Sequence, residues 1–182
     1  ILKVRKLYYS KLNMNIVELD ERRPFKLTWL SSNLKTEREL VLMPHKKAIV
    51  KDLLDECRVE LLKEELIFKD QCEDKLNFKL RLEEIVGSKI HRIFKDETSI
   101  ETLDPQQANK SYRVEAVLSE EANIVEGEYL LPVAHFSKEI YATFGSPFLL
   151  KIRLGEPFKD IKQRIQKRLD VQDKEFATVG FI

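Results

Sequence analysis

The residues with the chemistry to act as nucleophiles or to hold a soft metal are few and scattered: His45, Cys57, Cys72, His91 and His135. Zinc sites need ligands returning at short, fixed intervals, and neither a C-x-x-C nor an H-x-x-x-H spacing occurs. Cys57 lies on an apolar stripe at helical spacing, where a thiol packs and stays inert. Cys72 sits in a charged interval with no helix start or cationic pattern to lower its pKa, and reads as a surface thiol. A Cys–His pair would require the fold to bring His91 or His135 to one of these thiols, and no local nucleophile signature accompanies either cysteine. The acidic pairs Glu83-Glu84 and Glu120-Glu121 are adjacent in sequence and read as solvated surface. No glycine-rich phosphate loop is present. The expectation is a chain with no catalytic residue, no cofactor and no metal of its own.

Binding chemistry is better represented. Lys159, Lys162, Arg164, Lys167 and Arg168 lie outside the apolar stripe of one helix, and Lys151 and Arg153 lie on the strand before it. Such a run is a solvated face or a docking face for an acidic protein surface. Nucleic acid is disfavoured, because no aromatic residues are interleaved for base stacking. Phe136, Tyr141, Phe144 and Phe148 crowd one predicted hairpin, and an exposed subset would form a protein-binding patch. Phe144, Phe148, Lys159, Lys162 and Arg164 are therefore the candidate protein-binding residues.

The elements that position them are legible from periodicity. Phe148, Leu150, Ile152 and Leu154 alternate with Lys151 and Arg153, which predicts a strand ended by Gly155. Pro157 suits a first helical turn, and Phe158, Ile161, Ile165 and Leu169 follow at helical spacing. An alternating strand over Tyr129 to Ser137 precedes both. Strand, strand, helix is the opening of a ubiquitin-like β-grasp. Upstream, Leu7 to Ile16 reads as a strand, ELDERRP as a charged turn, and Phe25 to Trp29 as a second strand in a hairpin with the first. Glu39 to Met43 reads as a short apolar extension. A helix is predicted from about Ala48 to Lys63, with Val50, Leu53, Leu54, Cys57 and Leu61 on one side. Lys63 to Lys75 fits a loop or a continued helix. Strands are predicted around Phe78, Leu80 and Leu82, over Ile90 to Phe94 after a Gly87-Ser88 turn, and over Tyr112 to Leu118. The order β–β–α–β–β–β is again that of a β-grasp. The acidic interval Ser119 to Glu128 is read as a linker few contacts cross. The expected organisation is α+β: two tandem ubiquitin-like domains at 1–118 and 129–182, joined by 119–128. The second is incomplete, with FATVGFI supplying one strand's worth of residues.

Composition sets the outer limits. The 182 residues are 43% hydrophobic with 5 Gly and 6 Pro, enough apolar material for packed cores. The 32 basic and 31 acidic residues nearly cancel, against a dedicated nucleic-acid or membrane-surface protein. No apolar run approaches the roughly 18 residues of a membrane span, and nothing resembles a signal peptide. The chain reads as soluble and intracellular and, starting at Ile1 on no methionine, as a fragment of something longer.

The phrases KLYYSKLNMNI, RRPFKLTWLSS, VKDLLDECR, LRLEEIVGSKI and VAHFSKEIYATFGSPFLLKIRLGEPFKDIKQRIQKRLDVQDKEF are more specific than any fold requires. From about Lys6 to Phe176 they resemble the C-terminal ubiquitin-like region of the herpesvirus-associated ubiquitin-specific protease (ubiquitin carboxyl-terminal hydrolase 7) family, the last two of five ubiquitin-like domains. Lys63 to Lys75 and Asp173 to Ile182 depart from the family pattern in length or composition.

The resemblance implies a non-catalytic regulatory and interaction module of a deubiquitinating cysteine protease, nuclear and cytoplasmic. In that family a separate catalytic domain with a Cys–His–Asp site removes ubiquitin from substrates. The ubiquitin-like array recruits partner proteins, and its last two domains with a short tail stimulate the catalytic domain. The implied partners are the catalytic domain of the same protein and other recruited proteins, with no nucleic acid and no membrane. The competing reading is a scaffold of ubiquitin-like domains that binds partners without affecting catalysis.

Overall fold

A computed structural model describes residues 9, 11, 14–63, 78–104, 109–137, 139 and 142–181. The first described element is a helix, α1 (Ile16–Glu21), where a charged turn is expected. Asn15 caps it, its side-chain oxygen accepting the Glu18 N–H at 2.8 Å, and a glutamate three residues after the cap is a helix-start signal in its own right. The strand expected over Leu7 to Ile16 lies mostly outside the described residues, and its last residue opens this helix. The hairpin partner of β1 (Phe25–Leu30) is instead β2 (Glu37–Leu42), so the apolar extension at Glu39 is part of a full strand.

The helix α2 (Val50–Lys63) follows, then β3 (Leu80–Val86), β4 (Lys89–Ile93) and β5 (Lys110–Ala116). The five strands form one mixed sheet in the order β2-β1-β5-β3-β4, with β1 and β5 parallel at its centre. That order, with a helix crossing one face, fits a ubiquitin-like β-grasp. The stripe read from the sequence is the buried one: Val50, Leu53, Leu54, Cys57 and Leu61 pack on Phe25, Leu27, Trp29, Leu80, Leu82 and Val114. The β3–β4 turn falls at Gly87-Ser88 as expected. The charged interval from Glu64 to Lys75, with Cys72, lies outside the described residues.

The opposite face of this sheet is polar and nevertheless buried. In β3 and β5, Arg81, Glu83, Arg113 and Glu115 are each at most 6% exposed. From the chain after β5, Glu121 reaches Arg81 in this layer, and the chain continues into β6 (Glu128–Phe136), β7 (Thr143–Arg153) and α3 (Phe158–Leu169). β6 and β7 pair antiparallel as a separate two-stranded sheet, lying against β4. β7 starts five residues earlier than its apolar alternation predicts. Pro157 caps α3 rather than entering it, and Asp170 ends the helix in the left-handed region at φ 51°. Under α3, Phe148, Leu150 and Ile165 form a second apolar cluster, flanked by Val133, Ile152, Ile161 and Leu169. The final segment, expected to hold one strand, forms a single helical turn, α4 (Asp173–Phe176). Beyond it Phe181 lies between the rings of Phe158 and Phe176, at 5.7 and 5.6 Å. No helix among the described residues is long and apolar enough to cross a membrane.

Candidate protein-docking surface

The cationic helix is far less cationic in space than in sequence. Glu128 opens β6 and receives Lys151 at 2.8 Å and Arg153 at 2.9 Å, both from the neighbouring strand β7. These bonds, with the Val125 N–H, hold the Glu128 carboxyl down to about 2. Arg164 is drawn inward: it chelates Glu156 at 2.5 and 2.6 Å and donates to the Lys151 carbonyl. Lys162 stands over the rings of Phe158 and Phe181, 5.1 and 4.7 Å from their centroids. Arg168 places its charge near Glu121. Of the cations on α3, Lys159 and Lys167 are exposed and make no such engagement among the described residues.

The aromatic candidates divide as well. Phe148 is fully buried and is a core residue, which corrects its place among the exposed candidates. Its ring, like that of Phe144, contacts His135, whose pKa burial lowers. Phe144 is 53% exposed. Tyr141 lies outside the described residues. Phe144 is near the start of β7 and Lys159 follows its end, so nine strand residues, about 30 Å, separate the two. The candidate residues therefore form two places and not one. At the far end Phe158 is 53% exposed, next to Lys159 in sequence and under the Lys162 ammonium.

The larger feature that sequence reasoning missed is the buried ionic seam between the sheet and what covers it. Arg81 is paired across strands with Glu115, and Glu83 with Arg113. Arg81 donates to Glu115 at 2.8 Å, and Arg113 to Glu83 at 3.0 and 2.6 Å; Arg81 also lies 3.1 Å from Glu83. Glu121, from the acidic interval, closes the cluster at 2.7 Å from Arg81. Three carboxylates face two guanidinium groups, so one negative charge is in excess. Burial, and then Glu115 beside it, push the Glu83 carboxyl up to about 8, against the pull of Arg113 and Arg81. Burial also raises Glu121, while Arg81 and Arg113 outweigh burial at Glu115 and lower it. Glu84, buried next to this cluster, is held by Arg92 and Lys110, each at 3.1 Å. Glu83, Glu84 and Glu121 are thus not the solvated acids expected. The available signal was the repeated string R-x-E, in Arg81-Leu82-Glu83 and Arg113-Val114-Glu115, which antiparallel pairing turns into two complementary rungs.

The Cys57 thiol lies within the apolar core, and burial pushes it up to about 12, so no thiolate forms at neutral pH. No group of three or more His, Cys, Asp or Glu side chains among the described residues converges on a point where a metal could bind.

Comparison with known proteins agrees with the resemblance read from the sequence. Residues 6–182 match the family model described as ubiquitin-specific protease C-terminal. The chain is 43% identical over 185 residues to ubiquitin carboxyl-terminal hydrolase 7 of Drosophila melanogaster, covering 97% of this chain and 16% of that protein. It is 34% identical over 184 residues to ubiquitin C-terminal hydrolase 13 of Arabidopsis thaliana, covering 96% of this chain and 15% of the relative. A more distant match, 28% identical over 186 residues, is ubiquitin carboxyl-terminal hydrolase 7 of Caenorhabditis elegans, covering 97% of this chain and 16% of that protein. The chain spans about a sixth of the length of these relatives. A match of this extent makes the chain a member of the ubiquitin-specific protease C-terminal family.

Proposed function

We propose that this chain is a regulatory and protein-interaction module of a deubiquitinating enzyme that removes ubiquitin from substrate proteins through a thiol site elsewhere in the parent protein. It comprises two tandem ubiquitin-like domains, 1–118 and 129–182, joined at 119–128. The observation that carries this reading is the match to the C-terminal family over residues 6–182. The β2-β1-β5-β3-β4 sheet supports the first domain, and the repeat of strand, strand, helix in β6, β7 and α3 supports the second.

The mechanism is allosteric. Docking on the catalytic domain stimulates it only if the module binds the active arrangement more tightly than the inactive one. Exposed Phe158, with Lys159 and Lys162 beside it, suits a partner surface that is apolar at its centre and acidic at its edge. The linker at 119–128 sets the angle between the two domains, and the pairing of its Glu121 with Arg81 supports that role.

The test is turnover of a ubiquitin-linked substrate by the matching isolated catalytic domain, with and without this chain. The expected result is no turnover by the chain alone and a concentration-dependent rise in the mixture. Binding without a rise would leave the scaffold reading, and turnover by the chain alone would overturn both.

A further inference from the structure

The turn between β1 and β2 is built to hold one side chain outward. Asn33 Oδ1 accepts the Ser31 hydroxyl at 2.6 Å and the Lys35 N–H at 3.0 Å. The Ser31 hydroxyl accepts the Thr36 N–H at 3.0 Å, and the Ser31 and Leu34 amides close the turn on the Thr36 and Ser31 carbonyls, each at 2.9 Å. At its centre Leu34 sits at φ 61°, a left-handed conformation that glycine adopts freely and a branched apolar residue does not.

The strain has a counterpart on the other side of the joint. Leu34 packs against the Phe148–Leu150–Ile165 cluster beneath α3. Lys35 pairs with Asp170, the left-handed residue that caps α3, and Glu37 accepts the Ser146 hydroxyl of β7. One short turn thus grips both the strand and the helix.

The hairpin and helix need it. Tyr129 and Leu131 share a sheet face with Ile152 and Leu150 by register, yet stay 52% and 45% exposed, so this core is not closed from within. A stretch of fewer than about 60 residues with so small a core is marginal by itself.

We propose that the Ser31–Thr36 turn is a preformed key whose Leu34 completes the core under α3, so that β7 and α3 are folded and fixed in one orientation only while seated on the five-stranded sheet. This concerns the joint within the chain and holds whether or not the module stimulates an enzyme.

Amide hydrogen exchange on the whole chain tests it, with Leu34→Gly compared with the parent. Glycine removes the side chain and at the same time relieves the left-handed backbone. The expected result is exchange faster by roughly tenfold or more in β7 and α3, with β1, β3 and β5 unchanged or slower. Leu34→Met, which keeps apolar volume, retains most of the protection in α3. Unchanged α3 exchange in Leu34→Gly overturns the proposal, as does equal loss of protection in both regions. So does a Leu34→Met chain that loosens as far as Leu34→Gly.

Discussion

The five-stranded sheet and the hairpin with its helix repeat one plan, an antiparallel strand pair followed by a helix laid across it, but they close their cores differently. Twenty described residues are buried as one apolar cluster around α2, from Phe25 to Ala116. Under α3 the corresponding cluster has three buried residues, Phe148, Leu150 and Ile165, and leans on partly covered neighbours that include Leu34 from the other region. Burial of apolar area scales the hydrophobic stabilisation, at about 25 cal/mol per Å². The first region therefore supplies most of the stability, and the second borrows surface from it. The seam between them shows the same asymmetry. Four of its five charges belong to β3 and β5, and the covering side contributes Glu121.

The most damaging single change we expect is in that seam. Arg81→Met leaves Glu115 and Glu121 buried without their main partner, and removing one member of a buried ion cluster typically costs about 3–5 kcal/mol. Trp29, the lone tryptophan and 3% exposed, reports on the sheet core through its fluorescence. Its transition should move to markedly lower denaturant, and helicity from α3 should be lost no later than the tryptophan signal. An α3 that outlasts the sheet in this variant would break the hierarchy between the two regions. Adding Glu115→Leu removes a second buried charge and should recover part of the loss.

A smaller effect, opposite in sign in the two regions, comes from pH. Glu83 has its folded pKa raised to about 8, so between about pH 4.5 and 8 the folded state holds a proton that the unfolded chain has released. Stability of the sheet is then fully present below the unfolded value and falls as pH rises through this window, by at most about 1.4 kcal/mol per pH unit for one proton. The raised carboxyl of Glu121 acts in the same direction. Its lowered neighbour Glu115 acts the other way, below the ordinary carboxylate value. In the hairpin the half-buried His135 has its pKa lowered by partial burial, so its contribution is present above the ordinary histidine value of 6.5 and fades as pH falls below it. Glu128, held down to about 2, adds a further loss in acid. Between pH 5 and 6.5 the tryptophan-reported midpoint should fall while protection of the hairpin amides rises, and Glu83→Gln should flatten only the first. Parallel slopes would mean that the two regions titrate as one.

The two regions were also unequally legible. The α2 stripe, the Gly87-Ser88 turn and the strands around Leu82, Val114 and Leu150 announce themselves because one face is apolar at the right period. The seam was hidden because that same alternation labels Arg81, Glu83, Arg113 and Glu115 as outward and polar, which is true of their direction and not of their burial. Period cannot tell a solvated face from one covered by another layer. Leu34 was hidden for a related reason. Within Ser31-Ser32-Asn33 the sequence reads as a break, and the apolar residue after it finds its partners more than a hundred positions away. Residue type marks Phe148 and Arg164 for docking, yet strand register buries the first and Glu156 claims the second. Asn15 with Glu18 was a helix start in plain view, outweighed by the charged run around it.

The smallest effects on stability should come from the two exposed places that remain for docking, and they separate the regions' roles most finely. Phe144→Ser and Lys159→Glu each alter an exposed side chain: the first gives up a ring contact with His135, and the second puts a glutamate in the first turn of α3, where it suits the helix N-terminus, so each effect should stay under about 1 kcal/mol. Their unfolding midpoints should stay close to the parent's. Their effect on docking should not be the same. Lys159 belongs to the patch with Phe158 and Lys162, and reversing its charge should weaken binding of the catalytic domain several-fold, more at low salt than at high. Phe144 lies at the other end of β7, beside the joint with the Gly87 turn, where the Thr143 hydroxyl donates to the Gly87 carbonyl at 2.5 Å. Places that far apart contribute independently, so the double variant should show the sum of the two single losses. A calorimetric titration of all three variants decides the matter. Loss with Lys159→Glu alone assigns docking to the helix end, loss with Phe144→Ser alone assigns it to the joint, and a double variant that binds like the parent removes both from the interface.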